Sequence, residues 1–318
     1  MKKSTLIFAL AAIISMGCSK ESGNLNEDTV SASFEVSAVD GKLTRATVDG
    51  DGAAGNVNRY VMEIYRKHDG ITELFYRKVN SVRKGTGETK FDVTFLKNQE
   101  YDILFWADCG NGDADKYYVT TNGLKAVSFK GTYIGSNDEM DAFSNALSLK
   151  IGTEALPVRT VYLYRPFGQL NVITDDIKDL SSATVTSGHV ICPDEIEVSY
   201  TAPGEFNVLT KKASGLKAFS YKTKPYYQTT GKESDSINQA MYTLSMDYIL
   251  ASEAGQDLHD IKVTSNCEGF KLNSNEFTNI PVQRNWRTNI IGSLLVVGGD
   301  FQVIVDPVWT GENDEEAL

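Results

Sequence analysis

Residues 30–38 read Val30-Ser31-Ala32-Ser33-Phe34-Glu35-Val36-Ser37-Ala38, with apolar and polar side chains in strict alternation. A period of two puts every second side chain on one face of a pleated strand. The segment therefore buries Val30, Ala32, Phe34, Val36 and Ala38 and turns its serines and Glu35 the other way. Strand signals recur at 60–66, 74–79, 90–96, 101–107, 117–120 and 125–129. They continue at 159–164, 169–174, 196–200, 205–209, 219–222, 241–250, 261–264, 288–297 and 301–308. Gly, Asn and Asp stand between the runs, where turns need them. One stretch, 137–146, reads as helix of as little as one or two turns, because Asp138, Glu139 and Asp141 crowd the end where a helix dipole favours negative charge. Many short strands without alternating long helices predict an all-β chain of sandwiches or barrels.

The chain has 318 residues, more than one core usually organises, so two domains are expected, divided near Leu156-Pro157. Lys plus Arg number 31 against 42 for Asp plus Glu, a net charge of -11 that argues against a phosphate-rich partner and excludes nucleic acid from the expected ligands.

At the N-terminus, Lys2 and Lys3 precede a short apolar run from Leu6 to Ile14, which ends in Ser15-Met16-Gly17-Cys18. A run this short cannot cross a bilayer that needs about 20 apolar residues as helix, and it reads as a secretion signal. Small residues directly before a cysteine resemble a bacterial lipoprotein signal. Residues 1–17 would then be removed and Cys18 would become the lipid-modified first residue, holding the chain on a membrane. Ser19 to Asp28 is a polar tether with nothing to bury. Beyond Cys18 only Cys109, Cys192 and Cys267 remain, an odd number in a compartment that permits disulfides. One pair could form among them. The default expectation for each is a buried, reduced thiol, and their spacing is not that of a zinc site.

No catalytic constellation emerges, and the expectation is a protein that is not an enzyme and needs no metal or cofactor. Gly50-x-Gly52-x-x-Gly55 matches a dinucleotide fingerprint in letters only, because no apolar strand leads into it and a strand rather than a helix follows. His68, His189 and His259 stand far apart and none lies in H-E-x-x-H. Asn111-Gly112-Asp113-Ala114-Asp115 begins like a calcium loop but has Lys116 where Gly is needed and Asn122 where Glu is needed, so it reads as a solvated acidic turn. The 15 Tyr and 14 Phe suit strands. A sugar platform on Tyr117-Tyr118 or Tyr226-Tyr227 would be halved, because neighbours in a strand point to opposite faces.

Four further pieces resemble the fimbrillin-family proteins of Bacteroidales. They are Tyr101-Asp102-Ile103-Leu104-Phe105-Trp106-Ala107-Asp108, Asn137-Asp138-x-x-Asp141-Ala142-Phe143, Leu163-Tyr164-Arg165-Pro166-Phe167-Gly168-Gln169-Leu170 and Pro281-Val282-Gln283-Arg284-Asn285-Trp286-Arg287-Thr288-Asn289-Ile290. The resemblance implies two transthyretin-like β-sandwich domains in tandem, here 59–156 and 157–318. It also implies a structural or adhesive component of a type V pilus at the outer membrane and cell surface, with other pilin subunits and a host or glycan ligand as partners. In such proteins a protease cuts after a basic residue and removes an N-terminal strand. Arg45-Ala46, between 30–38 and a Gly/Asp-rich linker, matches that pattern, so 18–58 comprises tether, removable strand and linker. The resemblance further implies a C-terminal donor strand, with Phe301, Val303 and Val305 as its alternating apolar residues; the alternative is that 301–308 completes the sheet of its own C-terminal domain. Residue by residue, Phe105 and Trp106 are expected in a buried strand, Arg165-Pro166 at a strand edge or bulge, and Arg284 and Arg287 either pinning the last hairpin or simply solvated. The alternative is a monomeric surface lipoprotein that binds glycan. Such a protein should show one exposed aromatic platform and closed sheet edges.

Overall fold

The computed structural model describes residues 29–38, 55–180, 185–186, 189–190, 192–227 and 241–307. In chain order the strands are β1 Thr29–Ser37, β2 Arg59–His68, β3 Ile71–Ser81, β4 Glu88–Leu96, β5 Glu100–Asp108, β6 Tyr118–Val119, β7 Val127–Phe129, β8 Phe143–Lys150, β9 Arg159–Tyr162, β10 Phe167–Thr174 and β11 Val185–Thr186. They continue with β12 His189–Val190, β13 Glu195–Asn207, β14 Lys212–Thr223, β15 Tyr226–Tyr227, β16 Tyr242–Leu250, β17 Gln256–Leu258, β18 Ile261–Cys267, β19 Phe270–Phe277, β20 Ile280–Val282, β21 Arg287–Gly292 and β22 Phe301–Asp306. The described residues contain only two short 3-10 turns besides, Asp138–Met140 and Ile177–Asp179, so the chain is all-β as its alternation predicts.

A three-stranded sheet, β4-β1-β9, faces a four-stranded sheet, β3-β2-β5-β8. Between them lies a core of Phe34, Val36, Tyr60, Met62, Ile64, Phe91, Phe95, Tyr101, Ile103 and Phe105. A second sandwich is made by β15-β16-β10-β21-β22 and by β19-β18-β13-β7-β6, with β14 on the other side of β13. Alternation along β2 and β5 explains how the sandwiches join: the faces turned away from the first core send Val61, Tyr65, Leu104 and Trp106 into the second core. Trp106 meets Tyr118 at 5.3 Å, and Tyr118 meets Phe167 at 5.8 Å between ring centroids. Phe105 and Trp106 are both fully buried, one in each core.

Hydrogen bonding crosses 156/157 in both directions. β9, beyond it, runs parallel to β1 in the first sandwich, while β6 and β7, before it, extend the sheet of β13 through Glu205–Ser128 and Phe206–Val127 pairing. Ion-paired Arg59 ties the segment that leads into β6 back to β2 and β5. Arg59 donates to Asp108 at 2.7 and 2.6 Å and to Asp115 at 2.7 Å, and Asp115 in turn accepts from Thr120 and Thr121.

The helix expected at 137–146 is a correction. Asn137 accepts a capping bond from the Glu139 amide, but only one 3-10 turn follows before β8 begins. The acidic side chains have other partners: Glu139 takes Lys84 and Lys116, and Asp141 takes Arg165. Phe143 then enters the first core as part of a strand on β5. Arg165-Pro166 is not an edge marker either. Arg165 is wholly buried, bonds Asp141 at 2.9 and 2.7 Å and lies over the Phe143 ring, and Pro166 directly precedes β10. The reduced-thiol expectation holds for buried Cys109 alone, because Cys192 and Cys267 form a disulfide. The antiparallel ladder of β13 and β18, with Glu195 opposite Asn266, brings them together although they are 75 residues apart.

Candidate functional site

The N-terminal strand β1 is inserted between two others. It runs antiparallel to β4, with Phe34 opposite Phe91, and parallel to β9, with Phe34 opposite Arg159. Ala38 N donates to Gly87 O at 2.9 Å and Leu163 N donates to Ser37 O at 2.8 Å, extending the pairing past the strand end. All five inward side chains, Val30, Ala32, Phe34, Val36 and Ala38, are at most 5 % exposed. Phe34 is the largest of them, with its ring 5.7 Å from Phe105 and 6.3 Å edge-on to Phe95. The outward face is polar: Ser33 donates to Asp92 at 2.5 Å, which together with Lys90 holds the Asp92 carboxyl below the usual carboxylate range. Alternation in the sequence determines which side chains of β1 point inward. It does not by itself identify β4 and β9 as the walls, although Phe91-x-Val93-x-Phe95 carries a matching alternation.

The C-terminal strand β22 is an edge. Among the described residues it pairs only with β21, placing Val303 opposite Ile290 and Val305 opposite Thr288. None of its side chains is buried, and Phe301 and Val303 are 48 % and 37 % exposed. Phe301 makes one aromatic contact, edge-on to Phe277 at 5.0 Å. Of the remaining residues singled out in the sequence, Cys18, Arg45 and Ala46 lie outside the described residues, as does the end of the expected strand at Val308.

The other candidates have structural work. Burial alone would raise the Asp115 carboxyl, but bonds from Thr120 and Arg59 hold it at about 2, and Asp113 accepts from Ser81, so the acidic turn has no free ligand set. Among the described residues no group of three or more His, Cys, Asp or Glu side chains could hold a metal. His68 and His259 are exposed. Arg284 is buried, donating to Arg165 O at 2.9 Å and to Glu253 at 3.0 Å, and Arg287 donates to Gln169 at 2.9 Å, so both pin the β20–β21 connection. Tyr118 is buried and the Tyr117 hydroxyl donates to Glu139, which removes that pair from any platform. Exposed aromatic rings sit on separate strands: Phe75 and Tyr76 on β3, Tyr162 on β9, Phe270 on β19 and Phe301 on β22.

Sequence reasoning missed a buried carboxylate in the second core. Asp247 on β16 accepts from the Tyr221 hydroxyl at 2.7 Å and the Tyr200 hydroxyl at 2.9 Å. Burial pushes it up to about 6 against the pull of Tyr221, Tyr200 and Tyr133. Nothing local in Ser245-Met246-Asp247-Tyr248 signals that environment, which is assembled from β13, β14 and the 130–136 loop.

A family model described as a family of unknown function (DUF6562) matches residues 22–317. The chain belongs to that family. No curated protein matches it. Among solved structures, this DUF6562 chain resembles a putative cell adhesion protein from Bacteroides eggerthii at 12% identity and a TM-score of 0.51, over 89% of this chain and 97% of that one. It also resembles a putative polysaccharide binding protein (DUF1812) from Bacteroides thetaiotaomicron, at 12% identity and a TM-score of 0.50 over 92% and 100% of the two chains. The tip fimbrial protein Mfa3 from Porphyromonas gingivalis matches at 12% identity and 0.45, over 87% and 99%. At these identities the DUF6562 chain shares a fold with the first two.

Proposed function

We propose that this protein is a structural and adhesive component of a cell-surface fimbria of the type V kind, without catalytic activity. It is exported as a lipoprotein, held at the outer membrane through Cys18, and joined to other pilin subunits by donor-strand exchange. The observation that carries this reading is the pairing of two unlike strands. β1 is an N-terminal strand whose whole inward face fills a groove between β4 and β9, while β22 is a C-terminal edge strand whose apolar side chains are left half exposed. Burying Val30, Phe34 and Val36 contributes about 1.5–3 kcal/mol each. A sandwich that loses β1 therefore exposes that surface together with two unpaired strand edges, a state that demands a substitute strand.

Support comes also from Arg45-Ala46, a basic residue that follows β1 in sequence and precedes a Gly/Asp-rich stretch, the composition at which proteases commonly nick a chain. The fold shared with a solved protein named for cell adhesion agrees with it. In this reading cleavage after Arg45 frees β1, and the strand containing Phe301, Val303 and Val305 of a neighbouring subunit takes its place.

The test is polymerisation of the full chain after limited trypsin treatment, followed by light scattering and electron microscopy. Val303→Asp and Val305→Asp place charge on side chains that the monomer leaves partly exposed, so the monomer should fold normally and assembly should stop. Mutants that unfold as monomers, or that assemble like the parent, would overturn the donor-strand assignment.

A further inference from the structure

The inward face of β1 reads Val30, Ala32, Phe34, Val36, Ala38, and a second stretch of the same chain repeats that order of sizes at the same spacing: Val297, Gly299, Phe301, Val303, Val305. Valine stands over valine, glycine over alanine, phenylalanine over phenylalanine and valine over valine, with valine over alanine at the last place. We propose that the strand which fills the β4–β9 groove in the assembled state is residues 297–305 of a second copy of this chain, in the register that sets Phe301 in the place of Phe34. This rests on the donor-strand reading above and adds to it the partner, the direction and the register.

Three features of the structure support the match. Val297, Phe301 and Val303 are 86 %, 48 % and 37 % exposed, so the residues that repeat the buried face of β1 are ones their own subunit leaves in water. The groove discriminates by volume. Phe34 packs against Phe95 and Phe105, and Ala32, two residues before it on the same face, is a small side chain at a buried site. Sliding the incoming strand by two residues would force Phe301 into the place of Ala32 or Val36, where overpacking is costly. Reversing it keeps Phe301 central but puts Val303 on Ala32 and Gly299 on Val36, one site crowded and the other hollow. Direction therefore comes from side chains, because β4 and β9 run in opposite senses and a strand either way up has one parallel and one antiparallel neighbour.

The third feature is the backbone. Residues 297–300 form the turn into β22 in the isolated subunit, with Gly298 at φ +80. Glycine occupies that conformation and the extended one with comparable ease, so the same four residues can be a turn in one subunit and a strand in the next. The outward residues are tolerant of the exchange: Gln302 would take the place of Glu35 opposite Lys90, and Ile304 that of Ser37 opposite Glu88. Two places are unfavourable: Val305 enters the fully buried site of Ala38 at the end of the strand, and Asp300 comes opposite Asp92, on the solvent face where water screens it.

The register is tested by disulfide trapping in the trypsin-treated full chain. Lys90→Cys and Gln302→Cys are made in separate chains and mixed before assembly, as are Glu88→Cys and Ile304→Cys. All four positions are on the surface or only partly covered, so folding is not at stake. Both pairs should give an intersubunit cross-link under mild oxidation, several-fold above the out-of-register pair Lys90→Cys with Ile304→Cys. Polymers that form without either in-register cross-link, or that trap the out-of-register pair better, overturn the register while leaving donor-strand exchange standing. Absence of any polymer removes both. Matching cross-links in polymers that Phe301→Ser fails to weaken would also sink the proposal, since the Phe34 pocket is its anchor.

Discussion

Replacing Asp247 by Asn should remove a specific slope from the pH dependence of stability. The carboxyl lies in the second core beneath Tyr133, and it is held by the Tyr200 and Tyr221 hydroxyls. Burial raises it from the usual 3.8 to about 6. Between those values the folded chain keeps the proton that the unfolded chain has released. The folded state binds more protons there, and its stability falls as pH rises. The contribution is fully present below about pH 4, is lost as pH rises through about 6 and is flat above. The gap between 3.8 and about 6 amounts to about 3 kcal/mol at 1.36 kcal/mol per decade. Asn keeps the shape and an acceptor for one tyrosine but does not titrate. Asp115 and Glu139, both held at about 2 by their cationic and hydroxyl partners, push the opposite way at lower pH, so the difference between parent and variant is the quantity to follow. Urea unfolding of both proteins from pH 4 to 8, read by fluorescence of buried Trp106, gives that difference. The parent should lose ground to the variant by about 2–3 kcal/mol across that range. Parallel curves, or a variant that is much less stable than the parent at pH 7.5, would show that Asp247 is not a strained buried acid and that the argument from burial is wrong.

Cys18→Ala should abolish metabolic labelling with acyl chains and release the protein from membranes; labelling that persists rules out the lipid anchor. N-terminal sequencing of the surface form should find Ala46, whereas a start at Cys18 alone would mark an unprocessed anchor. Double replacement of Cys192 and Cys267 by Ser should cost about 4 kcal/mol of unfolding free energy, from a crosslink that closes 75 residues. A loss below about 1 kcal/mol in guanidinium titrations would mean that the β13–β18 ladder already restrains the unfolded chain there.

The sequence by itself determined the local facts. Period two made 30–38 a strand and named its buried side, and the same reasoning placed strands at 101–107 and 169–174 and put Phe105 and Trp106 inside. What it could not determine is which strands meet. That β1 would lie between β4 and β9, that β6 and β7 would leave their neighbours for the sheet of β13, and that Cys192 would find Cys267 are non-local pairings. No residue pattern within one segment encodes its partner. The stretch at 137–146 shows why even local signals give way: an acidic run that favours a helix start was recruited by Lys84, Lys116 and Arg165, and Phe143 gained more from entering the first core as a strand. The tertiary structure likewise decided that Asp247 is buried and that Phe301 and Val303 are not, because burial depends on what the rest of the chain brings to a position, and alternation reports only which face that position is on.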